Sequence, residues 1–516
     1  MNYRLSLLTG SLLLTQCIRE DSHNASAGLS FPGNKPNILF YITDDQSWLN
    51  TSISGENQVQ TPGFDRVARN GVLFRNAFCP SPSCAPCRAS ILTGRYPWQL
   101  EEGALLFGGI PRKYPLFTHL LESAGYESAM CYKGYWPGNM KDSVYHTNPF
   151  GKAYLVAPVD PYPEGLANCD YAASFEKFLG ERDTARPFFF WMGVSEPHRV
   201  YAKGIGLSSG MSIDSVKVPA FLPDTPEIRS DLLDYYYEIN HQDRHLLRML
   251  ELLEKRGELD NTIIIVTSDN GMPFPHAKAN LYEYGTHIPL AICWGKAIKS
   301  GRTVDDIVNL TDIGPTLLEI AGIPLPKEMS GKSLGKVLLS PLSGMIDKNN
   351  DFTVTAFERH TWSRKGGLGY PVRALRTREW LLIRNFEPDR WPAGDPPPFV
   401  PLYNSDYGDV DGSPTKQFVI ENQYNPDISD YFDLAFSKRP EYELYNLSSD
   451  PANIYNLAYQ EQHSKKLKEL EGQLIAFLSK TGDPRAFGEA LWDKMPFFIL
   501  NEKPSPVTKD SHPHLY

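Results

Sequence analysis

The sequence predicts an α/β protein built on a mostly parallel sheet. Continuous apolar runs of strand length occupy residues 38–42, 187–194 and 262–267. Runs without polar alternation are typical of strands buried on both faces, as in parallel sheets. A long helix predicted from residue 226 and a turn at 260–261 precede the third run, and this order is half of a β–α–β unit. We therefore expect a mixed, mostly parallel sheet sandwiched by helices.

The chain is long enough for two domains. Its 516 residues exceed the ~250–300 at which a single core stops growing. A stretch rich in Ser, Asp and Asn near residues 340–350 is followed by several short predicted strands and an amphipathic helix at 464–480. We predict a larger domain over residues 35–345 and a smaller C-terminal subdomain over residues 346–516.

The N-terminus has the pattern of an export signal. An apolar run over residues 5–15 follows Arg4 and is too short to span a bilayer. We predict a signal peptide and polar tether over residues 1–34; the alternative is the start of a buried strand or helix. The residues up to Cys17 resemble a bacterial lipoprotein cleavage site. The predicted location is therefore the bacterial periplasm, or the membrane with a lipid anchor at Cys17.

Charge argues against nucleic-acid binding, and cysteine spacing argues against structural zinc. The formal net charge is −10, which argues against nucleic-acid binding because that function requires a basic face. Cys84 and Cys87 have the spacing of a zinc-ligand pair, but no second such pair follows in the chain. Structural zinc is therefore not predicted.

Oxygen-bearing side chains follow two of the predicted strands. Asp44 and Asp45 come directly after the first run, and Asp269 and Asn270 come directly after the third. In open α/β sheets ligands bind beyond the carboxyl ends of the strands, so these side chains are placed to meet. Hard oxygen ligands favour Ca²⁺, with Mg²⁺ as the second choice. Each pair taken alone is also compatible with a turn or a helix cap.

One further stretch connects these features to a family. Cys84-Ala85-Pro86-Cys87-Arg88, followed by Leu92-Thr93-Gly94-Arg95, resembles the signature of the formylglycine-dependent sulfatases. Segments over roughly residues 36–460 are similar to the heparan N-sulfatase (sulfamidase) branch, among them 221–226, 269–275, 280–282, 370–373 and 443–446. The resemblance implies an alkaline-phosphatase-like fold with a small C-terminal α+β domain that carries an antiparallel sheet.

The resemblance also implies the chemistry. Cys84 would be oxidised to formylglycine by a formylglycine-generating or anaerobic sulfatase-maturing enzyme, and the aldehyde hydrate would attack sulfur. A second hydroxyl of the hydrate would then expel sulfate. The implied catalytic residues are Cys84, Arg88, Lys133, His198 and Lys278, with His198 as the general acid, and the implied metal ligands are Asp44, Asp45, Asp269, Asn270 and residue 84.

Two positions depart from the family pattern. Tyr135 stands where many sulfatases have a His, two residues after the Lys that Lys133 matches. This substitution removes a proton donor from the expected set. Lys278 stands where sulfamidase has an Arg, so the resemblance does not decide between a sulfate ester and a sulfamate.

The predicted substrate is a sulfated glycan. We predict an exo-acting carbohydrate sulfatase that removes sulfate from a terminal glucosamine-type or related sugar, with His287, His360 and Arg373 as sugar contacts. One alternative is a phosphoester hydrolase of the alkaline phosphatase superfamily, although such enzymes use several His ligands to zinc. The other is a glycan-binding protein without activity, which the Tyr135 substitution would suit.

Overall fold

A computed structural model describes residues 31, 33, 35–139, 148–295, 297–403, 405–498 and 506–516. The predictions of a signal peptide and of a lipid anchor at Cys17 lie outside these residues and stay predictions. Within them, the larger sheet has eight strands: β1 (Asn37–Thr43), β2 (Val72–Phe78), β3 (Glu127–Tyr132), β4 (Lys152–Ala153), β5 (Phe188–Gly193), β6 (Thr262–Ser268), β7 (His287–Cys293) and β8 (Arg302–Asn309).

The three apolar runs of the sequence form adjacent strands in the middle of this sheet. The strand order is β4-β3-β5-β1-β6-β7-β2-β8, so β1 lies between β5 and β6. All pairings are parallel except those of β7, which runs antiparallel to β6 and to β2. The predicted mixed, mostly parallel sheet is confirmed.

Helices cover both faces of the large sheet. Ile38, Phe40 and Ile42 of β1 belong to one apolar core, and Leu39 and Tyr41 belong to another. This alternation is what a strand buried on both sides requires. The helices of the described residues are α1 (Pro62–Arg69), α2 (Cys84–Thr93), α3 (Phe117–Ser123), α4 (Tyr171–Glu181), α5 (Ile205–Ser208), α6 (Pro226–Lys255), α7 (Glu283–Thr286), α8 (Ile313–Ile320), α9 (Gly335–Leu339), α10 (Pro414–Glu421), α11 (Ser429–Phe436) and α12 (Ser464–Lys480).

A second sheet forms from the C-terminal part of the chain. Its order is β12-β11-β10-β9 and every pairing is antiparallel, as predicted. Apolar side chains of α12, among them Leu470 and Leu474, pack in one core with Val354 and Leu382 of the sheet. The strands are β9 (Phe352–Phe357), β10 (Val372–Thr377), β11 (Trp380–Asn385) and β12 (Tyr442–Asn446), and a short ribbon adds β13 (Phe497–Phe498) and β14 (Pro506–Val507).

The two sheets pack together as one unit. Residues Phe31–Tyr516 cluster as a single compact body, and Glu283 of α7 forms an ion pair with Arg376 of β10 across the junction. The boundary at residues 345–346 therefore stays a prediction. Of the helices that the structure describes, none has both the length and the apolarity to cross a membrane.

Candidate active site

The carboxyl ends of β1 and β6 bring four oxygen-bearing side chains together. Thr43 and Ser268, the last residues of these parallel neighbours, are in register. The next residues are therefore adjacent, and the backbone N–H of Asp45 donates to Asp269 Oδ1 at 3.2 Å. Asp45 adopts a left-handed conformation with φ 69°, which Asp tolerates better than most residues. This turn directs its carboxylate toward Asn270, whose Nδ2 donates to Asp45 Oδ1.

The first turn of α2 supplies the nucleophile candidate. Cys84 begins the helix and is buried, with its Sγ 3.3 Å from Asp44 Oδ1. Arg88 lies one turn further along, on the same face of the helix. Its Nε donates to Asp269 Oδ2 at 2.9 Å, and its Nη1 donates to the carbonyls of Lys133 and Gly134. The predicted Cys84–Arg88 pair thus reaches both strand ends.

Two lysines and a histidine complete the cluster. Lys133, just beyond β3, pairs with Asp44. Lys278 Nζ lies 2.7 Å from both carboxylate oxygens of Asp45. His198 Nε2 lies 3.9 Å from Asp45 Oδ2, while its Nδ1 bonds to the carbonyl of Arg199. The structure therefore brings together all of the predicted catalytic and metal-binding residues.

The donor set fits a hard divalent cation. Asp44, Asp45, Cys84 and Asp269 offer ligand atoms within 4.8 Å of one another. The Oδ1 of Asn270 is buried and has no hydrogen-bond partner among the described residues. A buried acceptor without a partner is costly, and a cation bound by these oxygens would satisfy it.

The pKa values of the carboxyl groups show concentrated negative charge. Burial raises the pKa of Asp269 to about 6, and the neighbouring carboxylate of Asp44 adds to the effect. Burial would also raise the pKa of Asp44, but Lys133 together with the other positive side chains of the cluster outweighs burial and holds that pKa well below its usual range. Because like charges at close range disfavour ionisation, a divalent cation would stabilise this arrangement.

The C-terminal part of the chain contributes residues to the same region. His360 Nδ1 lies 2.9 Å from Ser83 Oγ, next to Cys84, and burial together with Lys278 lowers the pKa of His360 to about 4. The ring of His360 is therefore neutral and buried, and it exposes little surface to a sugar. Asp411 was not predicted, and its Oδ2 lies 3.3 Å from Lys278 Nζ. It lies in an irregular loop where no strand end or motif signals it.

The two other predicted sugar contacts are wrong. His287 stacks between Trp48 and Phe78 and bonds to Glu283, so its ring belongs to the core. Arg373 is fully buried and forms ion pairs with Glu358 and Asp483. Arg373 was predicted from its match to a Tyr-Pro-x-Arg stretch of sulfamidase and His287 from its place beside Gly285 and Thr286, but the polar atoms of both side chains are engaged within the protein.

Tyr135 does not replace the histidine that many sulfatases have. Its hydroxyl donates to the carbonyl of Gly108 at 3.0 Å, and the side chain is buried. The next residue, Trp136, is 55% exposed, with its ring 5.5 Å from Lys133 Nζ. His198, whose side chain is 28% exposed, lies at the accessible edge of the cluster.

This fold and site define a hydrolase whose reactive groups gather at the carboxyl ends of parallel strands. The sulfatase family model matches residues 36–323, and the model "N-sulphoglucosamine sulphohydrolase, C-terminal" matches residues 275–393. The chain belongs to the sulfatase family and is a sulfuric ester hydrolase. Membership implies a formylglycine and a divalent cation.

Named relatives span most of the chain. Human N-sulphoglucosamine sulphohydrolase is 29% identical over 93% of this chain and 95% of its own length. N-acetylglucosamine-6-O-sulfatase of Bacteroides thetaiotaomicron is 25% identical over 84% and 85%. A protein solved with its substrate D-glucosamine-2-N,6-O-disulfate matches with a TM-score of 0.61 at 22% identity, covering 87% of this chain and 99% of that one.

The fold alone does not separate sulfatases from phosphorus-ester enzymes. The phosphonate monoester hydrolase of Agrobacterium radiobacter matches with a TM-score of 0.59 at 17% identity, covering 92% of this chain and all of that one. The alkaline-phosphatase-like fold is therefore confirmed, while the sulfatase assignment depends on the family match.

Proposed function

We propose that the protein is an exo-acting carbohydrate sulfatase that cleaves a sulfate ester or sulfamate of a terminal glucosamine-type or related sugar. The observation that carries the proposal is the convergence of Cys84 with the acidic strand ends and the unpartnered Oδ1 of Asn270. Two relatives have names that refer to glucosamine derivatives, which supports the sugar class. The substrate is thus a sulfated saccharide.

We assign the cation to the acidic strand ends, beside the modified residue. Asp44, Asp45, Asp269 and Asn270 would hold Ca²⁺, or Mg²⁺ as the second choice, beside residue 84. Bound there, the cation would polarise the sulfuryl oxygens and lower the pKa of the formylglycine hydrate, which supplies the attacking hydroxyl. Formylglycine formation requires a maturing enzyme in the expression host.

The cationic side chains bind and orient the sulfate group. Lys133 and Lys278 are each anchored by a strand-end carboxylate, so their ammonium groups are held in place before substrate arrives. Arg88 is fixed by Asp269 and by two carbonyls. Positive groups fixed in advance around a developing charge are typically the largest contribution to catalysis.

His198 provides the proton for the leaving group. Its Nδ1–H donates to the Arg199 carbonyl and its Nε2 faces the cluster, so His198 in its imidazolium form can donate the Nε2 proton to the departing oxygen or nitrogen. Tyr135 is directed elsewhere, which leaves this role to His198. The exposed ring of Trp136 beside Lys133 provides an apolar face for a sugar.

The test is a panel of sulfated substrates given to protein coexpressed with a maturing enzyme and supplied with Ca²⁺. The panel contains N-, 3-O- and 6-O-sulfated glucosamine, sulfated galactosamine, galactose and fucose, and matched nitrophenyl sulfate and phosphate. We expect sulfate release from at least one glucosamine derivative. Cleavage of the aryl sulfate with no sugar would contradict the carbohydrate assignment, and preference for the phosphate would favour the phosphoester alternative.

A further inference from the structure

Asp411 is a carboxylate at the mouth of the site that the chemistry above does not use. It lies in the loop before α10, between β11 and β12, and therefore comes from the part of the chain that forms the second sheet. Lys278 connects it to the cluster, since its Nζ contacts Asp45 at 2.7 Å and Asp411 Oδ2 at 3.3 Å. Ligand atoms of Asp45, His198 and Asp411 lie within 4.8 Å of one another.

The carboxylate of Asp411 has unused hydrogen-bonding capacity. Its Oδ2 is buried and makes no hydrogen bond to any residue that the structure describes, although it lies in the ion pair with Lys278. The carboxylate of Asp409, two residues earlier, is fully engaged with Arg364 at 2.7 Å and with the backbone N–H of Thr361 at 2.9 Å. Asp409 therefore holds the loop, whereas the one contact described for the Asp411 carboxylate is its ion pair with Lys278.

Exposure separates Asp411 from the buried charges of the cluster. The side chains of Asp45 and Lys278 are almost fully buried, whereas those of Asp411 and His198 are each 28% exposed. A group that approaches His198 to receive a proton must therefore also approach Asp411. In the proposed reaction that group is the sugar.

In the free protein this carboxylate is stabilised by its ion pair with Lys278, but a bound sulfated sugar changes its surroundings. The carboxylate repels the anionic sulfate, and it loses water when the sugar covers it. A hydroxyl or ammonium on the ring compensates both effects because it donates a hydrogen bond to the carboxylate. Sites built to bind such a donor reject analogues that lack it.

We propose, building on the proposed function, that Asp411 determines specificity by accepting a hydrogen bond from a hydroxyl or ammonium group beside the sulfated position. The substrate class is then a sulfated sugar with an unsubstituted donor next to the scissile group. Simple aryl sulfates and sugars blocked at that position lack this contact.

The test compares selectivity in Asp411→Asn, which keeps the shape of the side chain and removes its charge. For each enzyme kcat/KM is measured on 4-nitrophenyl sulfate, on the sulfated glucosamine that the wild type cleaves fastest, and on that sugar with the neighbouring hydroxyl replaced by hydrogen. We expect the sugar-to-aryl ratio to fall roughly 10- to 100-fold in the variant. We also expect the variant to discriminate less between the sugar and its deoxy analogue.

Asp406→Asn, an exposed acid of the same loop, is the matched control and should leave both ratios unchanged. An unchanged sugar-to-aryl ratio in Asp411→Asn would overturn the proposal, because a residue that only positions Lys278 affects both substrates alike. A wild-type enzyme that cleaves no sugar would instead contradict the proposed function, and the assignment of Asp411 with it. The two outcomes are distinguishable, because failure of the specificity proposal is seen in Asp411→Asn and failure of the proposed function is seen in the wild-type enzyme.

Discussion

Cys84 illustrates at the scale of one residue what the proposed conversion to formylglycine would change. Burial raises the pKa of its thiol well above the ordinary value, and Asp44 raises it further. Since the thiolate is the reactive form, an unmodified Cys84 would be a poor nucleophile. The proposed conversion to an aldehyde hydrate would replace the thiol by hydroxyl groups at the same place, beside oxygen ligands suited to a cation.

The first prediction concerns this residue. We expect Cys84→Ser to lower kcat by roughly 10³-fold or more, since loss of a nucleophile removes the whole reaction path, while the thermal unfolding temperature stays near that of the wild type. Intact-mass analysis of the matured wild type should find residue 84 about 18 Da lighter than cysteine. Cys87 lies three residues along the same helix and outside the cluster. In the control variant Cys87→Ala, residue 84 should therefore still be converted to formylglycine and the enzyme should be active. Full turnover by Cys84→Ser would place the nucleophile elsewhere.

Single residues also mark the limit of prediction from sequence. Asp44, Asp45, Asp269 and Asn270 were predictable because each pair directly follows an apolar strand, and neighbouring parallel strands end at one sheet edge. His287 and Arg373 were wrong and Asp411 was missed, because their surroundings depend on long-range packing that no local pattern reports.

At the scale of elements, the site depends on how the second sheet docks against the first. Glu283 of α7 accepts hydrogen bonds from Arg376 of β10 and pairs with His287 of β7. Burial alone would raise the pKa of Glu283. Arg376 and His287 together outweigh the effect of burial and lower this pKa to about 2. This buried clamp holds β10 near the loop that carries Lys278.

The buried contacts of Glu283 with Arg376 and His287 predict how the stability of the protein changes in acid. Because the folded pKa of about 2 lies below the ~4.3 of an unfolded Glu, the ion pair contributes about 3 kcal/mol above pH ~4.3, and the contribution is lost as the pH falls through 2. Glu283→Gln should therefore unfold at a lower temperature than the wild type at pH 7, with the difference shrinking toward pH 2.5. The same substitution at Glu441, in an exposed pair with Arg384, should have little effect. A difference that is constant with pH would contradict this reading.

Elements were predicted more successfully than their docking. The three central strands, α6 and the antiparallel second sheet follow from apolar runs, a Thr225–Pro226 helix start and the family resemblance. The antiparallel placement of β7 and the contact of Asp411 with Lys278 were not predicted, since they depend on contacts between segments far apart in the chain.

At the scale of the whole molecule, a protein of net charge −10 must bind an anionic substrate. Charged groups at the site, together with a bound cation, would provide a local positive charge for this anion. Asp44, Asp45, Asp269 and Asp411 carry one more charge than Arg88, Lys133 and Lys278 together, so a divalent cation would leave one net positive charge, opposite to that of a sulfate ester. Buried fixed charges act strongly at short range, whereas the surface charge is screened by salt.

The most direct measurement is a crystal structure of the matured protein grown with Ca²⁺. We expect one ion ~2.3–2.6 Å from the carboxylates of Asp44, Asp45 and Asp269 and from Oδ1 of Asn270, next to residue 84. An ion bound elsewhere, or a structure in which Asn270 Oδ1 still has no partner at saturating Ca²⁺, would contradict the convergence of strand ends on a cation from which the proposed chemistry follows.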